Sequence, residues 1–274
     1  MSLHERKIAL AVEYDGSCFH GWQRQENAIS VQETLEEAWF HLTGEKRAII
    51  GCSRTDQGVS ARCHISHLFT TTPIPDERIF LALNTKLPEG ITVLAARAVP
   101  LDFHARFQAC GKTYSYRLLC SQSRPAIERR ITAWMPQDLD YRAMLECSRH
   151  FIGEHDFTAL MDQGSNTRRS VRRIYRLELQ RQERDVLTGT EYILKITGDG
   201  FLFHMVRILM GTIAEAGQGK LNPADIPDLL QAKDRTKMGK TMPPEGLTLD
   251  KVYYRENLFG EGAWPYEPDS LEEI

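Results

Sequence analysis

The sequence has no apolar run approaching the ~18 residues that a membrane-spanning helix needs. Even the apolar stretch 201–206 is interrupted by His204, so we expect no transmembrane segment. The first residues alternate like a strand and do not form the hydrophobic region of a signal peptide, which argues against secretion. We therefore expect a cytoplasmic protein.

Motifs for cofactors and metals are also lacking. The chain has neither a phosphate-binding loop nor a Gly-x-Gly-x-x-Gly fingerprint. Its six cysteines are widely spaced without a Cys-x-x-Cys pair, which favours reduced thiols. Cys63, His64 and His67 invite a metal hypothesis, but positions 64 and 67 of a strand point to opposite faces. We expect no cofactor and no metal.

The net charge says little about nucleic-acid binding, because the basic residues are unevenly distributed. The 274 residues sum to −3, yet the windows 104–130 and 168–184 each carry an excess of +5, and acidic residues collect at 261–273. Solvated surface is one interpretation of the basic windows. Phosphate contact is the other, and Arg172 and Arg173 are its candidates.

Hydrophobic alternation and capping signals predict the same order of elements twice. Ser30 caps a first helix that stops at Gly44. Further predicted helices are near 76–86, 139–151, 202–216 and after Asn222, with strands near 7–14, 46–52, 63–70, 91–99, 112–120, 170–180, 190–198 and 247–255. We predict an α+β fold of two ferredoxin-like βαββαβ halves, residues 1–108 and 109–274, forming one extended, mainly antiparallel sheet flanked by helices. Irregular loops are expected at 121–138, 157–169 and 233–246.

A candidate functional turn, Ser53-Arg54-Thr55-Asp56-Gln57-Gly58-Val59-Ser60, follows the apolar run 48–51. Asp56 with Gly58 is typical of a tight turn after a strand, where functional side chains commonly lie. A carboxylate beside a cation in a loop is more often a structural turn with a local ion pair. These residues alone leave both interpretations open.

Other motifs occur in order along nearly the whole chain. They are Glu13-Tyr14-Asp15-Gly16, Gly21-Trp22-Gln23-Arg24-Gln25, Phe103-His104-Ala105-Arg106-Phe107, Gly111-Lys112-Thr113-Tyr114, His204-Met205-Val206-Arg207 with Gly211, and Glu245-Gly246-Leu247. With the fairly specific Arg-Thr-Asp-x-Gly-Val turn, they resemble the TruA-type tRNA pseudouridine synthases across about residues 7–255.

The resemblance implies an isomerase that converts uridine to pseudouridine in the anticodon stem-loop of tRNA, at nucleotides 38, 39 and 40, acting as a homodimer. The reaction breaks the bond between base and ribose, turns the base over and rejoins it through carbon, so no cofactor is needed. Asp56 is the implied nucleophile, holding the intermediate covalently. Arg207 is its implied partner, because a guanidinium would keep that carboxylate ionised.

The substrate base must leave its stack before Asp56 can reach it. The resemblance implies that Arg54 fills the gap, that the base rests against the ring of Tyr114, and that Leu247 forms the apolar floor of the pocket. Without the resemblance, Tyr114 would be interpreted as a core residue of its strand. For Leu247, a place in the strand core is compatible with a place at the floor of the pocket. The segments 13–16 and 21–25 are implied to reach RNA, the alternative being a turn with a core tryptophan.

Two positions depart from the family pattern. Ser60 stands where histidine is usual and Thr248 where an aromatic residue is common, and both bear on substrate preference. A non-catalytic tRNA-binding folding factor of the same fold is the alternative hypothesis. An aspartyl-nucleophile hydrolase is a third, but it would need Mg²⁺ ligands near Asp56, which the neighbouring residues do not offer.

Overall fold

The computed structural model describes residues 5–164, 169–185 and 188–259. Arg168 and the acidic segment 261–273 lie outside the described residues. The strands are β1 (Arg6–Tyr14), β2 (Ile50–Gly51), β3 (Ser60–Thr70), β4 (Ile91–Val99), β5 (Ala109–Cys120), β6 (Ala133–Met135), β7 (Gly153–Asp156), β8 (Val171–Glu183), β9 (Thr190–Gly198) and β10 (Leu247–Tyr254). The helices are α1 (Val31–Thr43), α2 (Asp76–Asn84), α3 (Tyr141–Arg149), α4 (Met205–Gly217) and α5 (Ile226–Ala232).

The strands form a mostly antiparallel sheet in the order β4-β1-β3-β10-β5-β9-β8-β7, with β2 beside β3 and a parallel β6 beside β5. The predicted α+β fold with a mainly antiparallel sheet is confirmed. The chain divides into two compact units, Met1–Cys110 with Leu249–Glu273, and Gly111–Thr248. Strand β10 therefore begins in the second unit and continues in the first.

The first unit is built around β1, which pairs with β3 on one side and β4 on the other. Helix α1 follows the predicted capping signals, since the Ser30 hydroxyl accepts the Glu33 N–H and Gly44 ends the helix at a φ of 75°. Its buried face presents Leu35 and Trp39 to the core. Amphipathic spacing and caps thus predict the bounds of this helix.

The sequence predicts a strand over about 46–52. This prediction is wrong in extent, because only β2 (Ile50–Gly51) pairs there. The N–H of Ile49 donates to the carboxylate of Glu36 at 3.0 Å. The Glu36 carboxylate thus satisfies a backbone N–H that would otherwise need an acceptor on a neighbouring strand.

The second unit has β5, β9 and β8 as consecutive antiparallel neighbours. Helix α4 is almost wholly buried and begins at Met205, later than predicted, because His204 adopts the left-handed conformation with φ 61° and ψ 4°. Asn222 caps a short 3₁₀ turn, Pro223–Asp225, and α5 starts after it. The short strands β6 and β7 were not predicted, and β6 lies in the stretch 121–138 expected to be irregular.

Helices in the described ranges are all too short or too polar to span a bilayer.

Candidate active site

Asp56 lies on the turn that the sequence predicts, in the first unit. The turn closes through the main chain, since the N–H of Val59 donates to the carbonyl of Asp56 at 3.2 Å and Gly58 has a φ of 80°. Asp56 is half-buried, and Arg54, two residues earlier, is exposed. A carboxylate and a cation thus share one short loop, with the cation on the solvent side.

Residues of the motifs at 13–16 and 21–25 contact this turn and hold it in place. The hydroxyl groups of Tyr14 and Thr55 lie 2.8 Å apart. The carbonyl of Thr55 accepts the N–H of Trp22 at 3.2 Å. Tyr14 and Trp22 are each 3% exposed, so both side chains are core residues, and the burial of Trp22 agrees with the alternative interpretation of its segment. Their contacts fix the main chain on the N-terminal side of Asp56.

His64 and Ser60 hold the two ends of the same turn. Nε2 of His64 lies 2.9 Å from the carbonyl of Ser53, and its ring stacks on Trp22 at 3.7 Å. The Ser60 hydroxyl accepts the N–H of Gly16 at 2.9 Å. Ser60, one of the two departures from the family pattern, thus has a structural role in supporting the loop.

The two histidines of the metal hypothesis each use one ring nitrogen in a contact with the main chain. His64 contacts the main chain as described, and Nδ1 of His67 accepts the N–H of Ala105 at 3.2 Å. Burial, with help from His104 and Lys7, lowers the pKa of His67 to about 4. Burial raises the pKa of the Cys63 thiol to about 12, which disfavours a thiolate there.

Arg207 lies in the first turn of α4, in the second unit, and is half-buried. Its Nε donates to the carbonyl of Met242 at 2.7 Å, and the Met242 N–H donates back to the Arg207 carbonyl at 3.3 Å. This reciprocal pair joins the helix to the loop 238–243. The guanidinium plane is thereby held by the main chain of that loop.

Tyr114 and Leu247 are also in the second unit. The Tyr114 ring is 7% exposed and meets Phe201 edge-on at 5.1 Å. Leu247 is buried at the start of β10. The adjacent Gly246 packs against the ring of Tyr116, whose hydroxyl donates to the carbonyl of Pro243 at 2.7 Å. Tyr116 therefore anchors the same loop, 238–243, that Arg207 contacts.

The two candidate phosphate-binding arginines differ. Arg172 is half-buried, and its Nη1 donates to the carbonyls of Arg169 and Val171. Burial lowers its pKa, with Asp199 opposing that effect. Arg173 is exposed on β8. Adjacent residues of a strand point to opposite faces, so the pair does not act as one patch.

The sequence does not reveal the contacts that hold the Asp56 turn or those that hold Arg207. The motif at 13–16 is recognisable in the sequence, but nothing in it indicates that Tyr14 contacts Thr55. The contacts of Met242 and Pro243 come from carbonyl groups, which every residue has. No side-chain signal could have identified them.

Comparison with known proteins decides which family contains these residues. The family model described as tRNA pseudouridine synthase matches residues 10–108 and 147–255. The chain belongs to the tRNA pseudouridine synthase family. The matched ranges contain the Asp56 turn, Arg207 and Leu247, whereas Tyr114 falls between them.

Curated members of the tRNA pseudouridine synthase family align with nearly the whole chain. A protein named tRNA pseudouridine synthase A from Clostridium acetobutylicum is 41% identical over 249 residues, covering 91% of this chain and 100% of the relative. Proteins of that name from Acetivibrio thermocellus and Caldicellulosiruptor bescii are 42% and 43% identical, with the same coverage. The family resemblance is confirmed over both units.

Proposed function

We propose that this chain isomerises uridine to pseudouridine in the anticodon stem-loop of tRNA, at nucleotides 38, 39 and 40, with Asp56 as the nucleophile. The observation that carries the proposal is family membership over segments that include Asp56 and Arg207. The geometry of the first unit supports it, since a half-buried carboxylate on a main-chain-closed, braced turn is preorganised for attack.

Each proposed site residue has a physical task. The glycosidic bond breaks, the base turns over, and its carbon 5 bonds to the ribose and loses its proton while the former glycosidic nitrogen gains one. Asp56 holds the intermediate covalently. Before the attack, Arg207 keeps the Asp56 carboxylate ionised while the bound base excludes water. Arg54 fills the gap left by the flipped base, Tyr114 contacts that base, and Leu247 excludes water beneath it.

The test is release of tritium from tRNA labelled at uridine carbon 5, followed by chemical mapping of pseudouridine in the product. We expect tritium release and new pseudouridine at nucleotides 38–40. Tight tRNA binding without tritium release would favour the folding-factor hypothesis. Release with pseudouridine elsewhere in the tRNA would retain the isomerase and reject the anticodon-arm target.

Tyr114→Phe separates the ring of Tyr114 from its hydroxyl. We expect normal folding and tRNA affinity, because phenylalanine keeps the edge contact with Phe201, but turnover lower by about 10²-fold if the hydroxyl assists proton removal. Tyr114→Ala should lose affinity as well. Turnover at saturating tRNA and filter-binding affinity provide the measurements.

Tyr192→Phe is the matched control, because this buried tyrosine of β9 donates to the Leu139 carbonyl at 3.0 Å. It should lose stability, about 1–3 kcal/mol for an unpaired buried group, without losing turnover. Full activity of Tyr114→Phe would remove the hydroxyl from the chemistry.

Arg173 is proposed to contact a phosphate of the tRNA, whereas Arg172 is proposed to act mainly in the fold. Arg173→Ala should weaken tRNA binding and reduce the slope of log affinity against log salt by about one. Arg172→Ala should instead lower the melting temperature, because it removes two bonds to carbonyl groups. Salt titrations by filter binding distinguish them.

The control for the Arg173 prediction is Arg176→Ala, on the same strand, because the Arg176 guanidinium is already paired with Glu178. If the two substitutions change the salt slope equally, Arg173 contacts no specific phosphate and belongs to the solvated surface.

A homodimer and a cytoplasmic location complete the proposal. A dimer suits a substrate of this size if one protomer holds the tRNA body while the other modifies it. Light scattering of the purified chain is expected to give twice the mass of 31.4 kDa, and a monomeric mass would reject this part alone.

A further inference from the structure

Asp162 connects three segments of the second unit. Its Oδ2 lies 2.7 Å from Nδ1 of His204 and accepts the hydroxyl of Thr241 at 2.8 Å, while its Oδ1 accepts Nε of Arg235 at 2.7 Å. Arg235 also donates to the Thr241 hydroxyl and to the carbonyl of Gly239. The Asp162 carboxylate thus links the start of α4 to the loop 238–243.

These are the two segments that meet at Arg207. His204 is the cap position of α4, three residues before Arg207, and it is held in the left-handed conformation that non-glycine residues adopt at a cost. On the other side, Met242 follows Thr241 directly and makes the reciprocal pair with Arg207. A displacement of either segment would turn the guanidinium plane.

The carboxylate is suited to this task. Burial would raise the pKa of Asp162, but hydrogen bonds from His204, Thr241 and Arg235, with the charge of Arg235, hold it below its ordinary value. An ionised carboxylate only accepts hydrogen bonds, so all three donors are satisfied at neutral pH.

We infer that Asp162 is a positioning residue for Arg207, orienting its guanidinium through His204 and through the Thr241–Met242 segment. The inference rests on the proposed catalytic role of Arg207 and deepens it. An arginine side chain has several rotatable bonds, and a misplacement of about 1 Å can reduce turnover by about 10²-fold.

Asp156 offers a closely matched control in the same unit. Its side chain is 26% exposed against 27% for Asp162. It also bonds a threonine, Thr158, and a non-glycine residue in the left-handed conformation, Lys233 at 2.6 Å. Lys233 lies at the end of α5, outside the two segments that hold Arg207.

The experiment compares Asp162→Asn with Asp156→Asn in the full chain by single-turnover kinetics at saturating enzyme, filter binding and melting curves. Both variants should lose stability. Asp162→Asn should react about 100-fold more slowly with unchanged tRNA affinity, whereas Asp156→Asn should stay within about threefold of the parent. Equal rates for the two variants would overturn the inference.

Thr241→Val decides the matter if Asp162→Asn does not fold, because it removes the hydroxyl that links the loop to Asp162 and to Arg235 and keeps the bonds of Asp162 to His204 and Arg235. We expect it to react about tenfold more slowly than the parent. A parental rate for this variant would overturn the inference.

A double-mutant cycle separates this inference from the proposed function. In an Arg207→Lys background, Asp162→Asn should add little further loss of rate, because both changes remove the same contribution. If Arg207→Lys reacts at the parental rate, the proposed role of Arg207 fails and the inference fails with it. If Arg207→Lys is slow and the two losses simply multiply, only the inference fails.

Discussion

Asp56→Asn is expected to bind tRNA as tightly as the parent and to form no detectable pseudouridine, a loss on the order of 10⁴-fold or more. Asparagine keeps the shape of aspartate but carries no charge and cannot form the covalent intermediate. Folding should be preserved, because a main-chain bond from Val59 closes the turn and Thr55 carries the contacts beneath it. Tritium release, filter binding and a melting curve measure the three properties.

The control for this prediction is Asp102→Asn, an exposed aspartate of the same unit that should leave turnover and tRNA affinity unchanged. Residual turnover near the parental level would exclude Asp56 as the nucleophile. A large fall in melting temperature would return Asp56 to the role of a structural turn residue.

Gly16→Ala should impair the same turn through its backbone. A Cβ at position 16 would lie 2.3 Å from the carbonyl carbon and oxygen of Val59, and main chain cannot rotate away as a side chain can. The segment following Asp56 must shift, so we expect turnover to fall by about 10²-fold and stability by about 1–3 kcal/mol. Turnover is measured well below the melting temperature of the variant.

Gly44→Ala is the control for Gly16→Ala, because it makes the same chemical change where nothing lies within 4 Å. Its φ of 75° makes alanine strained there, so it should cost about 1 kcal/mol of stability while leaving turnover intact. If Gly16→Ala loses no more activity than this control, the close approach of Gly16 to Val59 is irrelevant to the reaction.

Local signals explain which parts of the fold were predictable. Ser30 and Gly44 act within one helix turn of the backbone they cap, so α1 appears where the sequence places it. The start of β2 depends on Glu36, whose carboxylate accepts the N–H of Ile49, thirteen residues further along the chain. Strands as short as β6 contain too few residues for alternation to be recognised.

The candidate site likewise has one part that the local sequence predicts and one part that it does not. The turn bearing Asp56 was predictable because its residues are contiguous and chemically distinctive. The setting of Arg207 was not, because it depends on a carbonyl of Met242 and on Asp162, far from it in sequence. Interactions between distant segments leave no periodic pattern, and main-chain acceptors leave no residue signature at all.

The split of β10 between the two units has a consequence for biosynthesis. The unit containing Asp56 is completed only by Leu249–Tyr254, and residues 111–248 must be translated first, which takes roughly 7–28 s at ordinary rates. Until then, β3 has β1 on one side, and on the other only β2 opposite Ser66 and His67.

An unpaired strand edge promotes association with other chains, and all but two of the eleven residues of β3 are buried in the finished fold. A chain released from the ribosome before residue 249 would therefore be prone to aggregate, even though most of the Asp56 unit has already been made.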